Sequence, residues 1–230
     1  MVSKVLVALD VTGVPVAVEL ASRLAEHVAG FKIGLELLTG SGPAAVERVA
    51  ALGKPVFADV KLHDIPTTVE RASANLAAAG ARWVSVHASG GGEMIEAAVA
   101  GMGGADETGV LAVTVLTSIG EEQLAGIGLR AGIGEQVRLL AILAAAAGAE
   151  GVVCAPGEAP VVKEASRDLM VVTPGIRLAD GDRHDQRRVM TPGAASSAGA
   201  DYLVIGRAIT ASDDPVAVAR RISKSLIDVG

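Results

Sequence analysis

The sequence predicts a single (β/α)8 barrel, an α/β architecture, spanning residues 1–230 as one domain. Three observations carry the prediction: eight short apolar runs, a helix-period stretch after each, and a repeat averaging roughly 25–30 residues between runs. The length agrees, because α/β barrels of about 200–250 residues commonly run undivided.

Taken in order, Val5–Leu9 is a continuous apolar run, as a strand buried on both faces requires, and Pro15–His27 follows as a helix. Phe31–Gly34 and Gly42–Leu52 form the second pair, Val56–Val60 and Pro66–Ala79 the third, Trp83–His87 and Met94–Ala100 the fourth. Leu111–Leu116 with Glu135–Ala147, Gly151–Cys154 with Ala159–Ala165, and Met170–Thr173 with Pro192–Ala198 come next. Tyr202–Ile205 and Pro215–Ile227 close the series. Pro15, Pro43, Pro66 and Pro215 sit where a first helical turn tolerates a missing N–H, and Gly30, Gly53, Gly80 and Gly148 where helices end. The stretch Leu178–Arg188 departs from this rhythm. It is charged, lacks an apolar period, and follows the seventh strand, where a barrel carries an active-site loop. Periodicity alone does not distinguish closure from an open doubly wound sheet. The count of eight, the lack of a Gly-rich dinucleotide fingerprint after the first strand, and the lack of a second-domain region favour the barrel.

Composition narrows the function. Half of the residues are hydrophobic but only 2% are aromatic, so Val, Leu, Ile and Ala must fill the core. A net charge of -6 argues against a broad nucleic-acid surface, and any anionic ligand must be met by a few placed cations. The sole cysteine, Cys154, has no partner for an internal disulfide and reads as a small core residue in the run Gly-Val-Val-Cys-Ala. No segment approaches the roughly 18 apolar residues of a membrane span, and Met-Val-Ser-Lys lacks a signal-peptide layout, so a cytoplasmic location without membrane partners is expected.

In a barrel, polar residues at the carboxyl ends of strands face the active site. Asp10 directly follows Val-Leu-Val-Ala-Leu, and Lys32 lies within the otherwise apolar Phe-Lys-Ile-Gly. Asp59 and Lys61 flank Val60, and the two-residue period places both on one face. The densest segment is Asp59-Val-Lys-Leu-His-Asp-Ile-Pro-Thr-Thr68, where a strand ends and Pro66 opens a helix. Thr67 and Thr68 could offer hydroxyls or amides near that helix start. Asp64 is also compatible with a simple helix cap, and His63 with a loop histidine.

The pattern Asp-x-Lys-x-x-Asp-Ile-Pro-x-Thr at a third strand end resembles the orotidine 5'-phosphate decarboxylase family. Its Asp-x-Lys-x-x-Asp core is shared with related sugar-phosphate decarboxylases and synthases. The resemblance covers the whole chain: Ala-Leu-Asp10, Phe-Lys32-Ile-Gly, Val-His87-Ala, Val-Leu-Thr117-Ser118, Thr173-Pro-Gly-Ile-Arg177, Asp185-Gln186, Thr191-Pro192 and Tyr-Leu-Val-Ile-Gly206-Arg207.

Family resemblance implies a cofactor-free, metal-free (β/α)8 TIM-barrel catalytic domain converting orotidine 5'-phosphate to uridine 5'-phosphate, the last step of de novo pyrimidine nucleotide synthesis. Lys61 would protonate C6 within a Lys32-Asp59-Lys61-Asp64 charge array, and Asp10 and Lys32 would hold the ribose hydroxyls, with Lys32 also pairing with Asp59, itself a substrate-binding residue. Thr68 would also bind substrate, and Thr117 and Ser118 would meet the pyrimidine's polar edge. Arg177, Gln186, Gly206 and Arg207 would hold the phosphate, with the 178–188 loop closing over it. A homodimer is implied, with Asp64 shared across its interface. His87 looks like a supporting residue, with a packing role as the alternative. The runners-up are a metal-dependent 3-keto-L-gulonate-6-phosphate decarboxylase or hexulose-6-phosphate synthase, and a barrel that binds nucleotide phosphate without turnover.

Overall fold

A computed structural model describes residues 3–103, 108–178 and 188–227. In chain order the elements are β1 (Val5–Ala8), α1 (Val14–Leu24), β2 (Gly30–Gly34), α2 (Leu35–Ser41), α3 (Ala44–Ala50), β3 (Val56–Leu62), α4 (Pro66–Ala78) and β4 (Trp83–His87). They continue with α5 (Gly92–Gly101), β5 (Gly109–Val113), α6 (Glu121–Gly126), α7 (Ile133–Ala146), β6 (Gly151–Val153), α8 (Ala159–Ala165) and β7 (Met170–Thr173). Last come α9 (Pro192–Ser197), β8 (Tyr202–Ile205), α10 (Arg207–Thr210) and α11 (Pro215–Ile227).

All eight expected strands form, and they pair in parallel from β1 around to β8, which closes back on β1. Strand alternation then sorts the side chains into two layers. Leu6, Phe57, Trp83, Val113, Val172 and Val204 point inward and fill the barrel. Val5, Val7, Phe31, Ile33, Val84 and Val86 point outward and pack under the helices. With few aromatics available, the large ones matter most inside. Phe57 and Trp83 are neighbours in register, and Trp83 meets Tyr202 with ring centroids 5.4 Å apart. Below them Arg82 grips Glu150 through two bonds of 2.7 and 2.6 Å, and the Trp83 indole N–H donates to the same carboxylate. This plugs the barrel end opposite the cavity described below.

Several boundaries differ from expectation. Gly30, expected at a helix end, opens β2 instead; a Cβ there would lie 2.3 Å from the Pro55 carbonyl, so β2 and β3 approach through a bare backbone. The fifth strand begins two residues earlier than the apolar run, because Gly109 N–H donates to Arg82 O and starts the ladder there. It also stops at Val113, so Leu116 and Thr117 belong to the following connection. The short helices α2, α6 and α10 lie in stretches with no clear apolar period. β3, by contrast, runs past its predicted end to Leu62, and this extension shapes the site.

Candidate active site

The carboxyl ends of the strands surround a cavity of about 810 Å³. Its apolar wall includes Phe57, Val113, Leu116, Val153 and Val204. Cys154 also contributes to it while remaining buried, and burial pushes its thiol up to about 12. The polar wall brings together Asp10, Lys32, Asp59, Lys61, Arg177 and Arg207, with Thr117 and Gly206 beside them. Eight of the expected site residues thus line one space although they come from β2, β3, the start of α10 and the connections after β1, β5, β7 and β8.

At the centre is Asp59, 9% exposed and held on both carboxylate oxygens. Lys61 Nζ donates to Oδ1 at 2.8 Å, and Lys32 Nζ stands 3.5 Å from Oδ2. Lys32 also donates to Asp10 Oδ1 at 3.1 Å, extending the chain of alternating charges to β1. Burial alone would raise the Asp59 pKa. Lys32, Lys61 and the hydrogen bonds to Oδ1 outweigh it, so the carboxyl lies below its ordinary value and stays ionised.

This arrangement needs an irregular strand. β3 and β4 pair at Ala58 with Val84 and next at Leu62 with Val86, so Asp59, Val60 and Lys61 all stand opposite Ser85. The excess is absorbed at Lys61, whose φ of 51° is left-handed, a conformation that costs a non-glycine residue on the order of 1–3 kcal/mol. Ser85, wholly buried, occupies the gap in the ladder. Its Oγ accepts the Lys61 N–H at 2.9 Å and donates to Asp59 Oδ1 at 2.9 Å. Ser85 carries no charge, so it does not stand out in the sequence among the strand-end candidates. The available signal was a hydroxyl in apolar Trp-Val-Ser-Val-His, on the same face as His87.

Other expected residues lie elsewhere. Asp64, Thr68 and Ser118 are exposed and do not line the cavity. Asp64 accepts the Ile65 N–H at 2.6 Å, whereas α4 starts from Ile65 without a side-chain cap, so Asp64 does not cap that helix. His63 is an exposed loop histidine, its ring 5.4 Å from His87. Burial lowers the His87 pKa, and His63 and Lys61 add to that effect against the opposing pull of Asp59. Gln186 and residues 179–187 of the loop lie outside the described residues. Arg188, at its end, is described. It pairs with Glu158 and donates to Leu116 O at 2.9 Å, while Glu158 accepts the Ala155 N–H, so the connections after β5, β6 and β7 are tied together. In the sequence Arg188 stands out only as the last member of the charged stretch, and Glu158 does not stand out at all.

The profile of the family described as Orotidine 5'-phosphate decarboxylase / HUMPS matches residues 3–222. The chain belongs to that family. A relative named orotidine 5'-phosphate decarboxylase from Chromobacterium violaceum is 49% identical over 226 residues, covering 97% of this chain and 92% of its own. One of the same name from Moorella thermoacetica is 46% identical over 233 residues, with the same two coverages. Among solved structures, orotidine 5'-phosphate decarboxylase from Lactobacillus acidophilus superposes with a TM-score of 0.85 at 36% identity, over 97% of this chain and 99% of that one. The enzyme of the same name from Pyrococcus horikoshii OT3, at 23% identity and a TM-score of 0.78, supports the shared barrel alone. Family membership thus joins a site whose distinguishing feature is one buried carboxylate between two ammonium groups.

Proposed function

We propose that this chain decarboxylates orotidine 5'-phosphate to uridine 5'-phosphate in pyrimidine nucleotide synthesis, with residues 1–230 as the catalytic unit and the cytoplasm as its location. The observation that carries the reading is the Lys32-Asp59-Lys61 array, preformed in a cavity of about 810 Å³ in a chain of this family. The cavity is large enough for a nucleotide.

Chemically, the C6–carboxylate bond breaks, CO2 leaves, and the bonding electron pair stays on C6. Lys61 delivers a proton to that carbon and regains one from solvent. Asp59 aims the Lys61 ammonium, since it accepts a hydrogen bond from Nζ at 2.8 Å. The array is fixed before substrate arrives, so charge developing at C6 meets dipoles that need no reorganisation. Asp10 and Lys32 serve the ribose hydroxyls beside Asp59, while Thr117, on the cavity wall, serves the pyrimidine edge. Arg177, Arg207, Gly206 and Gln186 take the phosphate, remote from the reacting carbon, and its binding energy drives closure of the 178–188 loop.

Asp64 completes the array from the neighbouring subunit of a homodimer. Its exposure outside its own cavity and the exposure of the adjacent Ile65 (67%) support this assignment, and Thr68 shares the same outward segment. An ultraviolet assay of orotidylate loss with and without chelator tests the reading. Turnover insensitive to chelator is expected. No turnover refutes it, and turnover abolished by chelator on a sugar-phosphate substrate instead would place the chain with the metal-dependent relatives.

A further inference from the structure

We propose that Ser85 is a positioning residue for the reacting centre, holding the Lys61 main chain and the Asp59 carboxylate in register across the irregularity between β3 and β4. The inference rests on the decarboxylase reading above, because it takes Lys61 and Asp59 as the groups being positioned.

Between the pairs Ala58–Val84 and Leu62–Val86, Ser85 is the only β4 residue facing three of β3. Its own main chain cannot satisfy all of them, and the Lys61 N–H is left without a ladder acceptor. Ser85 Oγ takes that N–H at 2.9 Å and, with its single proton, bonds Asp59 Oδ1 at 2.9 Å. The same Oδ1 receives Lys61 Nζ at 2.8 Å. A closed circuit results: Lys61 main chain to Ser85, Ser85 to Asp59, Asp59 to the Lys61 ammonium. It fixes both ends of the lysine, its strained left-handed backbone and its charged tip. A buried hydroxyl retained only for packing would need neither bond. Ser73, equally buried on α4, has no partner for its Oγ among the described residues and provides the comparison.

Ser85→Ala removes the circuit and leaves the charged residues in place. The expected result is a fall in kcat of roughly 10–100-fold with KM changed by less than about threefold, because a misplaced proton donor affects the chemical step and not the remote phosphate contacts. Ser73→Ala serves as the packing control, with wild-type kcat and KM expected. Ser85→Cys, close in volume but a poor acceptor, should show the same kcat-centred loss while keeping a cooperative melt, and decides the matter if Ser85→Ala does not fold. Wild-type kcat in either soluble Ser85 variant, or a loss confined to KM, overturns the proposal. Amide hydrogen exchange provides a readout free of substrate: the Lys61 N–H should exchange about tenfold or more faster in Ser85→Ala than in Ser73→Ala. If wild-type protein does not turn over orotidylate, the functional reading has failed, and this exchange comparison alone judges Ser85: equal protection of Lys61 in both variants overturns its role.

Discussion

Replacing Lys32 with methionine isolates the cost of leaving Asp59 with one ammonium in place of two. The substitution keeps an unbranched apolar stem as far as Cε and removes the ammonium with its charge and donors. Lys32 is 8% exposed, so few waters reach the vacated position. Its ion pair with Asp10 contributes little, because the Asp10 side chain is 46% exposed and can be solvated. The loss therefore falls on Asp59, whose Oδ2 faces Lys32 at 3.5 Å. Breaking a buried pair by removing one partner costs about 3–5 kcal/mol. Protonation sets an independent ceiling: neutralising at pH 7 a carboxyl with an ordinary value of 3.8 costs about 4 kcal/mol. Since Lys61 remains bonded to Oδ1, about 3 kcal/mol is the expected destabilisation at pH 7. The pH dependence follows from the depressed Asp59 pKa. The stabilisation is present above 3.8 and is lost as pH falls through the lower folded value; the variant's Asp59 titrates at higher pH. The gap between the two proteins should thus be widest near neutrality and narrow toward pH 3. Urea unfolding at a series of pH values measures it. A loss below about 1 kcal/mol at pH 7, or a gap that grows on acidification, would refute the electrostatic account of Asp59.

Arg207→Ala should raise KM for orotidylate at least about 100-fold, because one permanent cation is withdrawn from a dianionic group; steady-state kinetics with added inorganic phosphate will check it. Glu150→Gln at the opposite barrel end should lower stability by about 1–2 kcal/mol in urea unfolding, as its salt bridge to Arg82 is partly solvated, while kcat stays at the wild-type value. Cys154, buried and with its thiol pushed up to about 12, should resist iodoacetamide at pH 8 in the native protein and react once urea unfolds it.

The fold was legible because its main instruction is a repeat. Eight apolar runs, each followed by a helix-period stretch, specify eight strands, and polar residues alternate with valine along Ser85-Val86-His87. The charged half of the site was legible for a related reason: a lysine inside Phe-Lys-Ile-Gly has no place in a buried strand unless it works there. What stayed hidden depends on pairing between segments. Ser85 gains its importance from facing a gap in β3, and no property of its own neighbours encodes that gap. Arg188 and Glu158 lie 30 positions apart and look like ordinary surface charges until the barrel brings their connections together. Helix α10 was missed because four residues are too few to display a period.

The extra length in β3 also bears on anyone wishing to move this chemistry elsewhere. Asp-Val-Lys written into a regular strand would set the two side chains on one face, each standing upright about two residues apart, with no reason for the ammonium to fold back onto the carboxylate. The closeness of the pair belongs to the contorted backbone and to the serine next door. A graft onto another barrel would therefore have to carry the kink and its neighbour along with the motif, and sequence comparison restricted to the three letters would overcount the scaffolds able to receive it.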